Sequence, residues 1–109
     1  MTNVVIYQAE DGSCQGFEVS GHSGYGESGS DIVCAGISAV GITAVLGFVN
    51  VLHMQDNSRQ DDQKGLLEWT MPDDAPDEAQ IIINTMIEGL EAIKKQHPDH
   101  VRITVQKRR

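Results

Sequence analysis

Residues 31–52 read DIVCAGISAVGITAVLGFVNVL, the longest apolar-rich stretch of the chain. It meets the length of about 20 apolar residues that a bilayer span requires. Ser38, Thr43, Asn50 and several glycines interrupt it, however, and it lacks basic flanks. It is therefore read as a buried core helix, Asp31 to Leu52, and no membrane association is expected. Ser30 or Asp31 serves as its N-cap, accepting hydrogen bonds from otherwise unpaired backbone N–H groups. Ala35, Gly36, Ser38, Ala39 and Gly41 keep its first half narrow. Another element, or a second copy of the chain, can approach closely there. Because the helix is apolar nearly all round, cover on more than one side is expected.

Working outward, Asn3–Gln8 and Gln15–Ser20 read as strands around the turn Glu10-Asp11-Gly12-Ser13, a hairpin with Phe17 and Val19 on one face. Residues 21–30 hold four glycines in ten and read as a loop without apolar periodicity. Downstream, His53–Lys64 is polar and reads as a surface linker. Gly65–Met71 reads as a strand with Leu67 and Trp69 on one face. A second helix starts near Pro76, with Asp77 and Glu78 at the positive end of its dipole. Ala79, Ile82, Ile83, Met86, Ile87, Leu90 and Ile93 give it one apolar face. Lys94, Lys95, His97 and Pro98 close it, and Val101–Gln106 alternates as a last strand. The fold expected is α+β, a single domain over residues 1–109 in ββαβαβ order, with a four-stranded sheet packed against two helices.

The composition agrees. A chain of 109 residues, 39% hydrophobic, with 11 glycines has room for one globular domain and one modest core. Two cysteines are too few for a disulfide scaffold. Sixteen Asp and Glu against eight Lys and Arg give a net charge of −8. That disfavours direct nucleic-acid binding, which draws on cationic contacts with phosphates. It suits a basic protein partner, or solubility alone. The tail Lys107-Arg108-Arg109 reads as solvated. Met1–Tyr7 shows no basic region ahead of a long apolar run, so no signal peptide is expected. The chain reads as cytoplasmic, with both cysteines reduced.

The chemistry concentrates in residues 21–38, GHSGYGESGSDIVCAGIS. Gly24, Gly26 and Gly29 match a G-x-G-x-x-G phosphate loop, but the strand before it belongs to a hairpin and no acidic strand end follows at the expected distance. Cys34 falls in the first turn expected for the long helix, where the dipole favours a thiolate. His22, twelve residues upstream, can fold over the helix start. A Cys–His pair is the minimum for an activated sulfur nucleophile with a general base. Backbone N–H groups at the helix start can hold an oxyanion. Against this stands the ordinary role of a helical Cys as a small buried hydrophobe. Asp31 orients His22 or caps the helix; Ser38 bonds near the site or back to its own helix. Cys14 reads as structural. His97 and His100 lack the further ligands a metal site needs, and neither metal nor cofactor is expected.

At these positions the sequence resembles the ribosomal-processing cysteine proteases called Prp. The family pattern is a Gly-His pair, a glycine-rich loop with an aromatic residue, then Asp-Ile-Val-Cys-Ala and a Ser four residues after the Cys. Here these are Gly21-His22, Gly24-Tyr25, Asp31-Ile32-Val33-Cys34-Ala35 and Ser38, and the length and element order fit over the whole chain. The resemblance implies that Cys34 is the nucleophile and His22 the base, with Gly21, Asp31 and Ser38 in supporting roles. It implies removal of a short apolar N-terminal extension, ending in an aromatic pair, from the basic large-subunit ribosomal protein L-twenty-seven, a step ribosome maturation needs. It also implies a homodimer and a glycine-rich loop over the site. Two other readings stay open: a non-enzymatic module binding a peptide or the ribosomal protein, and a small nucleotide- or phosphate-binding domain built on Gly24, Gly26 and Gly29.

Overall fold

The computed structural model describes residues 1–21, 30–63 and 65–108, with the side chains of Ser30 and Asp31 outside that description. The described elements are β1 (Thr2–Gln8), β2 (Cys14–Ser20), α1 (Ser30–Leu46) with a π-helical turn at Gly47–Val51, β3 (Ser58–Asp61), β4 (Leu66–Thr70), α2 (Glu78–Gln96) and β5 (Val101–Lys107). The strands form one sheet in the order β3-β4-β2-β1-β5. All pairings are antiparallel except β1 with β5.

The β1–β2 hairpin forms where the turn residues place it. Asp11 Oδ1 accepts from the Ser13 N–H at 2.9 Å, and the Ala9 N–H reaches the Ser13 carbonyl at 2.9 Å. Alternate residues then face the helices. Val4, Ile6, Phe17, Val19, Leu67 and Trp69 are buried on that side, while Tyr7, Glu18 and Glu68 lie on the other. There the Tyr7 hydroxyl donates to Glu18 at 3.0 Å.

α2 buries Ala79, Ile83, Met86 and Leu90, the stripe its periodicity predicts. Gln80 fastens it to β2: its amide accepts from the Cys14 N–H and donates to the Cys14 carbonyl, each at 2.9 Å. α1 buries Val33, Ile37, Ala44 and Val45 in the same core, and Phe48 of the following turn stacks on Trp69 with centroids 4.5 Å apart. Ile32–Val51 is long and apolar enough to cross a membrane by length and composition; here its inner face packs on the sheet and α2. Cover is less complete than the composition suggests, since Ile32, Leu46 and Val51 remain exposed.

Two close approaches set the helix in place. A Cβ on Gly41 would lie 2.9 Å from Leu67 Cδ2 and 3.5 Å from Phe17 Cε2, so α1 sits almost directly on β2 and β4. On its other flank, a Cβ at Gly89 of α2 would meet Val40 at 3.4 Å.

Several expectations are corrected. The sheet has five strands, not four, and the element order is ββαββαβ. The extra strand, β3, lies inside the stretch read as a linker. It has no apolar residue, so no alternation marks it; it holds its place by pairing with β4, by Asp56 accepting from the Ser58 N–H at 2.8 Å and by Asn57 donating to the Thr70 carbonyl at 3.0 Å. The long helix changes to π geometry at Gly47 and ends before His53, a residue in the left-handed region at φ 57°. The basic tail is not simply solvated: β5 continues through Lys107, and the Arg108 guanidinium lies 3.9 Å from the Tyr7 ring centroid. That is cation–π distance.

Gly41→Val is expected to destabilise the fold by about 1–3 kcal/mol through overpacking against Leu67 and Phe17. Gly41→Ala should cost less, because only the end of the Leu67 side chain must move. Urea unfolding of the two variants beside the parent checks this.

Candidate active site

Three residues one turn apart, Cys34, Ser38 and Ile42, place one face of α1 along a cleft of ≈ 330 Å³. The opposite wall is the β3–β4 hairpin. Gln60, Asp61 and Asp62 contribute from β3 and its turn, and Gly65, Leu66 and Leu67 from the return. The turn is a compact polar one. Asp61 Oδ1 accepts from the Gln63 N–H at 3.1 Å, and Gly65 adopts φ 60°, the left-handed conformation a short hairpin loop commonly needs.

Cys34 is partly exposed and carries a free thiol. It is the fifth residue of α1, which begins at Ser30. This corrects the placement in the first turn. By helical register its own N–H is directed to the carbonyl of Ser30, so that N–H is committed within the helix. The unpaired N–H groups belong to the residues before it.

Ser38 lines the same cleft. Thr43 and Thr85 bond back to the carbonyls four residues earlier, at 2.7 Å each; among the described residues Ser38 makes no such bond. Asp31 lies in the first turn of α1, with its side chain outside the described residues. His22 also lies outside the described residues, as do Gly24, Tyr25, Gly26 and Gly29, and with them the phosphate-loop reading.

Gly21 has a backbone reason to be glycine. It follows β2 at φ 101°, and a Cβ there would stand 2.4 Å from the Met1 carbonyl oxygen. Any side chain would displace the start of β1 or the strand end that leads to residue 22.

Cys14 is the first residue of β2. It is 3% exposed, its thiol lies 3.5 Å from the Gly16 carbonyl, and burial raises its pKa above the ordinary thiol value. It is a packing residue, protonated at neutral pH. At the other end of the molecule, His97 and His100 form the turn between α2 and β5. The His100 N–H donates to the His97 carbonyl at 3.0 Å, and its own carbonyl accepts from the Thr2 N–H at 2.9 Å. Among the described residues, no group of three His, Cys, Asp or Glu is gathered as a metal site.

The reading of residue types missed the hairpin wall. A signal was present: Asp61-Asp62-Gln63-Lys64-Gly65 ahead of a strand is hairpin-turn chemistry. What it lacked was an apolar first strand.

The chain's likenesses identify its family. A family model described as cysteine protease Prp matches residues 1–102. The ribosomal processing cysteine protease Prp of Staphylococcus aureus is 32% identical over 103 residues, covering 94% of this chain and 97% of that one. A crystal structure of the essential ribosomal processing protease Prp from S. aureus with a substrate peptide superposes with a TM-score of 0.90 at 31% identity, over 97% of this chain and all of that one. Another, with a covalently linked product peptide, superposes with a TM-score of 0.85 at 31% identity and the same coverage of this chain, 97%.

Two outcomes are expected. Iodoacetamide should add one label to the folded protein, at Cys34, and two after denaturation, because Cys14 is buried and its thiolate disfavoured; intact mass reads the count. Gly21→Ala should lower the melting temperature, since φ there is strained for any side chain at a cost of roughly 1–2 kcal/mol before the clash with Met1 is added.

Proposed function

This chain belongs to the cysteine protease Prp family, and on that premise we propose that it removes the N-terminal extension of large-subunit ribosomal protein L-twenty-seven. It is a ribosomal processing cysteine protease, which sets aside the non-enzymatic alternative. The observation that carries the more specific reading is the position of Cys34: a partly exposed thiol in an open cleft between α1 and the β3–β4 hairpin, while Cys14 is sealed in the core. The covalently linked product peptide in the S. aureus relative supports a covalent route.

In this reading His22 accepts the Cys34 proton. The Cys34 Sγ forms a bond to the carbonyl carbon of the aromatic residue that ends the extension, and the carbonyl π pair moves onto oxygen. As the tetrahedral intermediate collapses, the C–N bond breaks and His22 returns the proton to the leaving amine. Water then adds to the thioester with His22 as base. The C–S bond breaks, releasing the carboxylic acid and restoring the thiol. Gly21 keeps the backbone ahead of His22 in its required path. Asp31, in the first turn of α1, and Ser38, in the cleft, complete the supporting set. No metal or cofactor enters the scheme.

The net charge of −8 favours encounter with a basic substrate. The setting is the cytoplasm, where thiols stay reduced, without direct contact to nucleic acid or membrane. A homodimer belongs to the same reading. Val51 and Ile81, each 69% exposed, flank an apolar groove of ≈ 500 Å³ between α1 and α2, a surface that a second copy can cover.

The test is cleavage of the precursor ribosomal protein followed by intact mass. Wild type should cut at the extension boundary. Cys34→Ala should lose at least about a thousandfold in rate, and His22→Ala about a hundredfold or more. A folded wild type that leaves the precursor whole defeats the substrate assignment; full activity in Cys34→Ala defeats the nucleophile. Light scattering should give twice the chain mass, falling toward one chain in Ile81→Glu.

A further inference from the structure

Attack on a peptide carbonyl places a full charge on its oxygen, and donors aimed at that oxygen supply much of the catalysis. A cysteine at the open end of a helix often supplies one donor from its own backbone. Here the N–H of Cys34 is the fifth in α1 and turns back into the helix. Besides the unpaired N–H groups of the residues before Cys34, a donor for the oxyanion can come from another part of the cleft.

The described side chains lining the cleft narrow the choice. Asp61 and Asp62 present carboxylates, which repel an oxyanion. Leu66, Leu67 and Ile42 present hydrocarbon. Ser38 lies on the same wall as the nucleophile, one turn further along α1. Gln60 lies on the wall across from it.

Strand register decides where Gln60 faces. It pairs directly with Leu67, and directly opposed residues on neighbouring strands share a face. Leu67 is 6% exposed, packed under α1; Gln60 therefore projects from the helix-facing side of the edge strand, toward the layer that carries Cys34. Among the described residues no group holds its amide, which leaves its two N–H donors available. Gln80 shows the contrast: its amide is spent on the Cys14 backbone.

We propose that Gln60 is a catalytic residue, donating a side-chain N–H to the carbonyl oxygen of the scissile peptide as charge develops there. A substrate peptide lying in the cleft has its carbonyl carbon at the Cys34 sulfur and its oxygen toward Gln60. The proposal rests on the reading of Cys34 as nucleophile. It explains why a polar strand without a single apolar residue is held against the sheet by Asp56 and Asn57: the strand carries a donor to the far wall of the cleft.

The experiment compares Gln60→Ala and Gln60→Glu with wild type on an internally quenched peptide spanning the extension boundary. Gln60 is exposed on an edge strand, so both variants should fold, and circular dichroism checks that they do. Expected is a fall in kcat of about a hundredfold in Gln60→Ala, with KM changed less than threefold on that scale. Gln60→Glu, an acceptor where a donor is needed, should not recover it. A peptide aldehyde of the same sequence, which forms a hemithioacetal with an oxygen in the oxyanion position, should lose affinity in step with kcat/KM. Alkylation of Cys34 by iodoacetamide develops no oxyanion, so its rate should be unchanged. Wild-type kcat in folded Gln60→Ala overturns the proposal, as does a loss confined to KM or a parallel loss in alkylation. Cys34→Ala is run beside them: if it still cuts, the nucleophile reading has failed, and if it is dead while Gln60→Ala is fully active, only the role of Gln60 has failed.

Discussion

The contact of α1 with the sheet at Gly41 is the constraint on which the rest depends. Without a Cβ at that position, the helix settles onto Leu67 and Phe17, over β4 and β2. The face bearing Ile37, Ala44 and Val45 then enters the core, and the face bearing Cys34, Ser38 and Ile42 is turned toward the β3–β4 hairpin. A side chain at Gly41 would lift α1 from β4, widening the cleft between its two walls. The surroundings of Cys34 are thus determined by packing two turns away from it.

The two cysteines show how environment separates residues of one type. Cys14 begins a central strand, buried with its thiol against a backbone carbonyl, and desolvation keeps it protonated. Cys34 stands on a helix flank beside open space. Chemistry follows exposure, since a reacting thiolate must be reachable and solvated enough to form. The position of Cys34 just past the first turn adds a second consequence. The amide N–H of Cys34 is committed within α1. In the proposed mechanism Gln60, on the hairpin wall of the cleft, supplies a donor instead.

Much of this molecule is legible in its sequence. Strong periodicity marks α2, whose apolar face matches the buried Ala79, Ile83, Met86 and Leu90. Alternation and turn chemistry mark β1, β2, β4 and β5. The motif from Gly21 to Ser38 singles out Cys34, the partly exposed thiol of the two. β3 escaped because pattern reading relies on apolar residues: Ser58, Arg59, Gln60 and Asp61 bury little, and their strand exists only because β4 offers a ladder. The Gly47 π turn escaped for a related reason, as nothing in an apolar run announces where its hydrogen bonds lengthen.

Composition and order of residues by themselves determined the α+β class, the long apolar helix, the separate amphipathic helix and the family to which the chain belongs. These are local or additive properties: propensity, period and a short motif survive without knowledge of what packs where. Only the tertiary structure decided that the sheet has a fifth, polar edge strand, that this strand forms the wall opposite Cys34, and that Gln60 shares the face of Leu67. Those facts depend on register and on the distance between elements remote in sequence, set by the sum of core contacts rather than by any one segment.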